Sequence, residues 1–156
     1  MKGYKALRKG LINRYGFQYE VGKTYELNGE LKWRNNGFHF CSYPEDTLRY
    51  VNAFKDEIEI VRVDGRGEIS ITNDEYYGFY DMCASSIIEI LGVIPREEYF
   101  NEIINSGITH RIERLITLMK LTDEEKTIIL NNYSDLEPLI IYYQNDDYVL
   151  KRKREY

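Results

Sequence analysis

Two side chains that can act as a base and a nucleophile, His39 and Cys41, lie two residues apart in the run Gly-Phe-His-Phe-Cys. Residues two apart on a β-strand share one face, so we expect both to point to a cleft or to solvent, with Phe38 and Phe40 in the core on the other face. Same-face neighbours on one strand lie about 6.5–7 Å apart. A cysteine is activated by a base in hydrogen-bond contact, so this pair alone does not form a nucleophilic dyad.

The thiol and imidazole groups are also candidate metal ligands. The chain has two cysteines and two histidines: His39, Cys41, Cys83 and His110. Zinc sites usually contain cysteine pairs two to four residues apart, and the sequence has no such pair. We therefore expect no metal site and two reduced cysteines, as in a cytoplasmic protein.

Composition and charge limit the class of partner. The 156 residues are 43% hydrophobic and 30% charged, which is typical of one globular domain. The last six residues hold four of the 21 basic and one of the 26 acidic residues, so residues 1–150 carry 17 basic and 25 acidic side chains, a net charge of −8. An acidic body argues against direct nucleic-acid binding. Neither a membrane span nor a signal peptide is present in the sequence, which predicts a cytoplasmic protein without a membrane partner.

Alternating apolar residues predict an antiparallel sheet in the first half of the chain. The expected strands are residues 4–7, 17–20, 24–27, 31–33, 38–41, 57–63 and 68–72. Asn28-Gly29 fits a type I′ hairpin turn, and residues 64–67 fit a second hairpin. The run Ser-Tyr-Pro-Glu at residues 42–45 matches a capping box that begins one short helix over residues 44–53.

Helical spacing of apolar residues predicts a C-terminal helical half. The expected helices are residues 80–91, 96–105, 109–120 and one that follows a capping box at residues 122–125. Residues 139–143 fit either a late strand or a buried helical turn. The sequence therefore predicts one compact α+β domain over residues 1–156, mainly β over 1–72 and mainly helical over 73–150. Residues 151–156 form a basic tail, either a nucleic-acid contact or a frayed terminus.

Part of the chain resembles a known group of proteins. The runs GFQYEVGKTYE at residues 16–26, GFHFC at residues 37–41 and PEDTL at residues 44–48 carry the resemblance. They are similar to the N-terminal module of uncharacterised phage and prophage proteins, some of which continue into pentapeptide repeats. The resemblance covers about residues 3–72. It implies a phage-type protein that acts in the cytosol of a host cell, and it implies no particular reaction.

An acidic chain with 15 tyrosines is suited to protein binding, because tyrosine anchors interfaces and negative charge attracts basic surfaces. With the phage-type resemblance, this predicts a small protein that binds a basic surface on a host or competitor protein, for example an anti-CRISPR-like inhibitor of a defence nuclease. Such binding needs no cofactor. The expected contact residues combine acids and tyrosines in two predicted loops: Asp74, Glu75, Tyr76, Tyr77, Asp146, Asp147 and Tyr148.

An enzymatic alternative comes from a second resemblance. A basic strand, the Gly-Phe-His-Phe run, a helix with Tyr50 and Glu-bearing strands follow in an order that resembles the small ADP-ribosyltransferase fold. That resemblance implies NAD as the ligand. Arg8 or His39 would hold the nicotinamide ribose and Tyr50 would stack on nicotinamide. Glu68 would then polarise the ribose hydroxyl. The Ser-Thr-Ser strand of that family is absent here.

Overall fold

The computed structural model describes residues 1–32, 36–74 and 79–155. The strands are β1 (Lys2–Arg8), β2 (Thr24–Glu26), β3 (Phe38–Cys41), β4 (Ile58–Asp74) and β5 (Phe79–Ile94). The helices are α1 (Arg96–Asn105), α2 (Thr109–Leu118), α3 (Asp123–Asn132), α4 (Glu137–Tyr143) and α5 (Asp146–Lys153), with 3₁₀ helices at Pro44–Tyr50 and Ser134–Leu136. A sheet is followed by helices, so the α+β prediction is confirmed. No helix within these described ranges is long and apolar enough to cross a membrane.

The antiparallel sheet closes on itself. Its strand order is β2-β5-β3-β1-β4, and β4 also pairs with β5, so β1, β4, β5 and β3 form a ring. Seven residue pairs join β1 to β4, from Lys2↔Asp64 to Arg8↔Ile58. On its other side, β1 meets β3 at the described pair Tyr4↔Cys41 alone. The β1–β3 contact is therefore the weak seam of the ring.

The interior of the ring is filled around Phe40, which is 1% exposed. Leu7, Val63 and Ile90 pack in the same cluster. The closed sheet leaves little room for the Phe40 side chain, and a glycine on β4 makes the space. A Cβ at Gly65 would lie 2.5 Å from Phe40 Cε1. The prediction that Phe40 is a core residue is confirmed, while Phe38 is only half-buried.

A second core lies between the outer face of the ring and the helices. Ala6, Ile60 and Ile94 present buried side chains on this face. The helices cover them with Phe100, Ile103, Ile112, Leu115, Ile116, Ile129 and Ile140. The helical half therefore packs on one side of the sheet.

Two sequence predictions in this region are wrong because tertiary contacts override local patterns. The expected helix at residues 80–91 is part of β5, which pairs with β2, β3 and β4. The expected hairpin turn at residues 64–67 lies inside the continuous strand β4. Its glycines have other roles: Gly65 makes room for Phe40, and Gly67, with φ of +76°, accompanies a shift of register between Arg66 and Ile69.

Other boundaries differ from expectation as well. Among the described residues the Asn28-Gly29 hairpin does not form: β2 pairs with β5, and Lys32 bridges Asn36. Trp33, the end of the expected second strand, lies outside the described residues. Residues 17–20 form no strand, although Gln18 bridges Ile12. The helix expected over residues 44–53 is a 3₁₀ helix that ends at Tyr50. Its N-cap makes no side-chain hydrogen bond, so the predicted capping box does not form.

From residue 96 onward the expected helices form. The capping box at Thr122 and Glu125 is confirmed, with Glu125 N–H donating to Thr122 Oγ1. Residues 139–143 belong to helix α4, which decides between the two alternatives. The basic run continues α5 to Lys153, and Asn52 Nδ2 donates to the Arg152 carbonyl at 2.7 Å. The helical part of the run is therefore held against the body of the protein. The prediction of a frayed terminus is wrong for these residues.

Candidate functional site

A cleft with a volume of about 500 Å³ opens where β1 and β3 separate beyond the pair Tyr4↔Cys41. If β1 and β3 stayed paired beyond Tyr4↔Cys41, Ala6 would lie opposite His39. The strands separate instead, and both residues line the cleft. The 3₁₀ helix at Pro44–Tyr50 forms one wall, and the loop at residues 13–19 forms another. The weak seam of the ring is thus the entrance to its interior.

Backbone polar groups face this cleft. Neighbouring residues of an antiparallel strand direct their N–H and C=O groups to opposite sides. Arg8 N–H donates to Ile12 O and Lys9 N–H to Glu57 O, so even-numbered residues of β1 face away from β4. The backbone of Ala6 therefore points into the cleft. Across it, Lys5 Nζ donates to the His39 carbonyl at 2.7 Å, where a strand partner would otherwise donate.

The lining of the cleft is positively charged. Lys5, Arg14 and Arg49 contribute to it, and no aspartate or glutamate is among the described residues that line it. Lys5 is half-buried on β1, Arg14 is exposed on the loop, and Arg49 is half-buried at the end of the 3₁₀ helix. A lining with three cationic side chains is notable in a chain of net charge −5. An anion is the ligand that this lining favours.

Aromatic groups lie beside these cations. His39 and Tyr50 have ring centroids 6.0 Å apart, and the Arg49 guanidinium lies 5.6 Å from the Tyr50 ring. Arg14 lies over the Tyr15 ring at 4.9 Å. Tyr19, which is buried, completes the set beneath Lys5, whose Nζ lies 5.6 Å from its ring centroid. A planar, electron-rich ligand would find stacking partners here.

The titratable groups in the cleft have shifted pKa values. Burial, with a smaller effect of Arg14, lowers the pKa of Lys5 to about 8. Burial and the charge of Lys5 lower the pKa of His39 to about 4, so this imidazole is neutral at pH 7. Burial raises the pKa of Tyr19 to about 12, so its hydroxyl stays protonated. The cleft therefore offers neutral hydrogen-bonding groups around fixed guanidinium charges.

Buried ion pairs hold the 3₁₀ helix in place. Arg111 of α2 donates to the Glu45 carboxylate through Nε and through Nη2, the latter at 3.0 Å. Arg114 lies 3.4 Å from Asp46, and burial raises the pKa of Asp46 to about 6. A smaller pocket of about 190 Å³ lies over these pairs. Because Tyr50 and Arg49 follow on the same helix, these pairs help to position one wall of the cleft.

Two of the four residues assigned to ADP-ribosyl transfer meet in the cleft. His39 and Tyr50 both line it. Arg8 is not among the described residues that line the cleft, and its Nη2 donates to Asn13 O at 3.0 Å. Glu68 is exposed on β4, where its N–H bonds Ser86 Oγ, and it does not belong to the lining. The structure thus brings together the predicted aromatic groups and not the predicted acid.

The residues assigned to partner binding have varied settings. Asp74 ends β4, while Glu75, Tyr76 and Tyr77 lie outside the described residues. The loop predicted for Asp146, Asp147 and Tyr148 is wrong: all three belong to the first turn of α5, which Asn145 caps. Both aspartates are exposed. They lie at the N-terminus of α5, where the helix dipole favours negative charge.

Tyr148 is half-buried and packs edge-on against Phe54, with ring centroids 5.7 Å apart. Its hydroxyl accepts a hydrogen bond from Arg152 at 3.2 Å. This side chain helps to attach α5 to the body of the protein, so its first role is structural.

Sequence reasoning did not assign Arg14 and Arg49 to a site. One signal was available: residues 1–19 contain five basic and no acidic side chains. The sequence around Arg49 gives no such signal of positive charge, because acidic residues lie on both sides of it. These acids are not among the described residues that line the folded cleft. Within the described ranges, no three His, Cys, Asp or Glu side chains are grouped to bind a metal. Cys41 and Cys83 are buried and form no disulfide.

The comparisons with known proteins give a family and no function. Residues 1–102 match the model of a domain of unknown function, DUF7666. The match spans the whole ring and every residue that lines the cleft. No curated protein and no solved structure matches the chain. Because the matched residues cover more than half of its length, the chain belongs to the DUF7666 family.

Proposed function

We propose that this protein binds a nucleotide, a ligand that combines phosphate with a planar ring, in the cleft between β1 and β3. The observation that carries the proposal is the lining itself. Lys5, Arg14 and Arg49 supply positive charge to it, and the aromatic rings of Tyr50 and His39 lie beside them. Guanidinium groups hold phosphate through paired hydrogen bonds, and aromatic rings stack on bases.

The size and form of the cleft agree with such a ligand. Small-molecule sites usually have volumes of about 300–1,000 Å³, and this cleft has about 500 Å³. The backbone of Ala6, which faces the cleft without a strand partner from β3, adds polar groups that can read a base or a ribose. NAD is the nucleotide that the resemblance to ADP-ribosyltransferases suggests.

The proposal covers binding of NAD and not its cleavage. ADP-ribosyl transfer needs a carboxylate beside the ribose, and Glu68 lies outside the lining of the cleft. His39 and Tyr50, which that resemblance assigns to the ribose and nicotinamide, both line the cleft, with ring centroids 6.0 Å apart. An enzyme of this kind would have to obtain its acid elsewhere.

A panel of ligands in thermal unfolding tests this proposal. NAD, ADP-ribose and ATP are expected to raise the Tm, because a ligand at 100 times its Kd stabilises the folded state by about 2.7 kcal/mol. Adenosine, which lacks phosphate, is expected to give a much smaller shift, and pyrophosphate an intermediate one. An equal shift with adenosine and ATP, or none with any nucleotide at millimolar concentration, would contradict a nucleotide site.

A second candidate function is supported by the charge of the helical half. Residues 95–150 carry eleven acidic and five basic side chains. Nine of these acids are exposed, whereas four of the bases, Arg96, Arg111, Arg114 and Lys126, are held in ion pairs. The helical side is therefore acidic, while the cleft on the sheet is basic. We propose that this side attracts a basic partner protein in the cytosol of a host cell, such as a defence nuclease.

Charge reversal tests the acidic side. The variant D146K/D147K is expected to capture less of a basic partner from a host lysate than the wild type, because rim charges govern the rate of association. The matched control E20K/E57K reverses two exposed acids on the sheet side, where Glu20 and Glu57 pair with lysines. Both variants are first shown to be folded by circular dichroism. Equal loss of the partner in both, or in neither, would place the interface elsewhere.

A further inference from the structure

Lys5 differs from the other paired lysines in the chemistry of its partner. Lys9 and Lys23, among others, lie beside carboxylates, at 3.4 Å and 2.6 Å. Lys5 Nζ instead donates to a backbone carbonyl, that of His39. No carboxylate is among the described residues that line its cleft. Its ammonium form is thus solvated by a neutral oxygen and one aromatic ring, and no carboxylate of the lining stabilises its charge.

The groups around Lys5 favour the neutral amine. Burial is the largest cause, and the guanidinium of Arg14 adds to it, while the Cys41 thiol acts in the opposite direction. Two further titratable neighbours, His39 and Tyr19, are uncharged at pH 7. With a pKa of about 8, half of the Lys5 amines are neutral at pH 8, whereas an ordinary lysine is neutral in roughly one molecule in 250. A neutral lysine amine is a nucleophile toward carbonyl carbon.

We propose that Lys5 forms a Schiff base with a small aldehyde or ketone that carries a phosphate or carboxylate group. The proposal rests on the anion binding inferred for this cleft. Arg14 and Arg49 lie on two different walls around Lys5 and would hold the anionic group, while the carbonyl carbon reaches Nζ.

The reaction balances without a further reagent. The lone pair of Nζ attacks the carbonyl carbon and gives a carbinolamine. The nitrogen passes one proton through solvent to the carbonyl oxygen, which becomes the hydroxyl. Its second proton leaves with that hydroxyl as water when the C=N bond forms. Nothing is oxidised or reduced, and hydrolysis reverses the reaction. A bound carbonyl compound would be held covalently but reversibly, as in other lysine-dependent sites.

Pyridoxal 5′-phosphate is the probe for this proposal, because it is an aldehyde with a phosphate group. The native protein is treated with less than one equivalent, reduced with borohydride and mapped by mass spectrometry. Lys5 is expected to be labelled at least about tenfold faster than Lys9 or Lys23, because more of its amine is neutral. Pyridoxal, which lacks phosphate, is expected to show a smaller preference for Lys5, because the neutral amine remains while the arginines have no phosphate to hold.

Variants separate the amine from the anion site. Lys5→Arg keeps a donor for the His39 carbonyl and is expected to lose the imine absorbance of the probe. R14Q/R49Q is expected to slow labelling of Lys5 several-fold. Labelling of Lys5 no faster than that of Lys9 would overturn the proposal, and if nucleotides still raised the Tm, nucleotide binding would stand alone. If Lys5 is labelled fast but the protein binds no nucleotide, Schiff-base formation at Lys5 is supported and only the proposal of nucleotide binding is overturned.

Discussion

Replacing Phe40 with alanine is expected to lower the free energy of unfolding by about 3–5 kcal/mol. The ring is 1% exposed and fills the space inside the closed sheet that Gly3 and Gly65 leave. Its removal opens a cavity that β-strands on all sides keep from collapsing. Urea denaturation followed by circular dichroism measures the loss.

His39→Ala is the matched control, because His39 is the adjacent residue on the same strand and faces the cleft. We expect it to cost no more than about 1 kcal/mol. Equal and small losses for both variants would show that Phe40 does not support the interior of the ring.

Replacing Glu45 with glutamine is expected to destabilise the protein by about 3 kcal/mol, because it leaves the guanidinium of Arg111, whose side chain is 12% exposed, without its buried charged partner. Glu45 is 2% exposed, and Arg111 binds it through two nitrogens. The Glu102 carboxylate also lies near Arg111, at 3.5 Å, but it is half exposed. The 3₁₀ helix should loosen with this change.

The exposed pair between Arg62 and Glu98 provides the control, since both side chains are about half exposed. Glu98→Gln is expected to cost less than about 1 kcal/mol. A comparable loss in both variants, measured by urea denaturation, would mean that burial adds nothing to the Glu45–Arg111 pair.

Local signals in the sequence predict the helical half well. Pro95 precedes α1, Gly107 follows it with φ of +69°, and Thr122 caps α3. These signals act within one turn of chain, so they need no knowledge of the fold. The same is true of β3, where strict alternation placed Phe40 inside.

The sheet was harder to predict, because its pairings join distant segments. Ile87, Ile88 and Leu91 have helical spacing, yet β5 is a strand because β2, β3 and β4 all pair with it. Gly65 and Gly67 looked like a turn and instead serve close packing and an irregular register.

The cleft depends on these non-local contacts even more. Lys5, Arg14 and Arg49 come from three segments that only the folded ring brings together. His39 and Tyr50 were candidates from the sequence, but their proximity requires the path of the chain between β3 and the 3₁₀ helix.

Calorimetric titration of NAD into three proteins is the most direct test of a nucleotide-binding cleft. The variant R14Q/R49Q removes two charges from the lining, and R62Q/R66Q removes two from outside it, where Arg62 and Arg66 form exposed ion pairs. Each charge-assisted hydrogen bond contributes about 1.5–3 kcal/mol, so R14Q/R49Q should weaken binding at least about tenfold. R62Q/R66Q should bind as the wild type does. Equal affinity in all three proteins, or no heat of binding in the wild type, would contradict the proposed site.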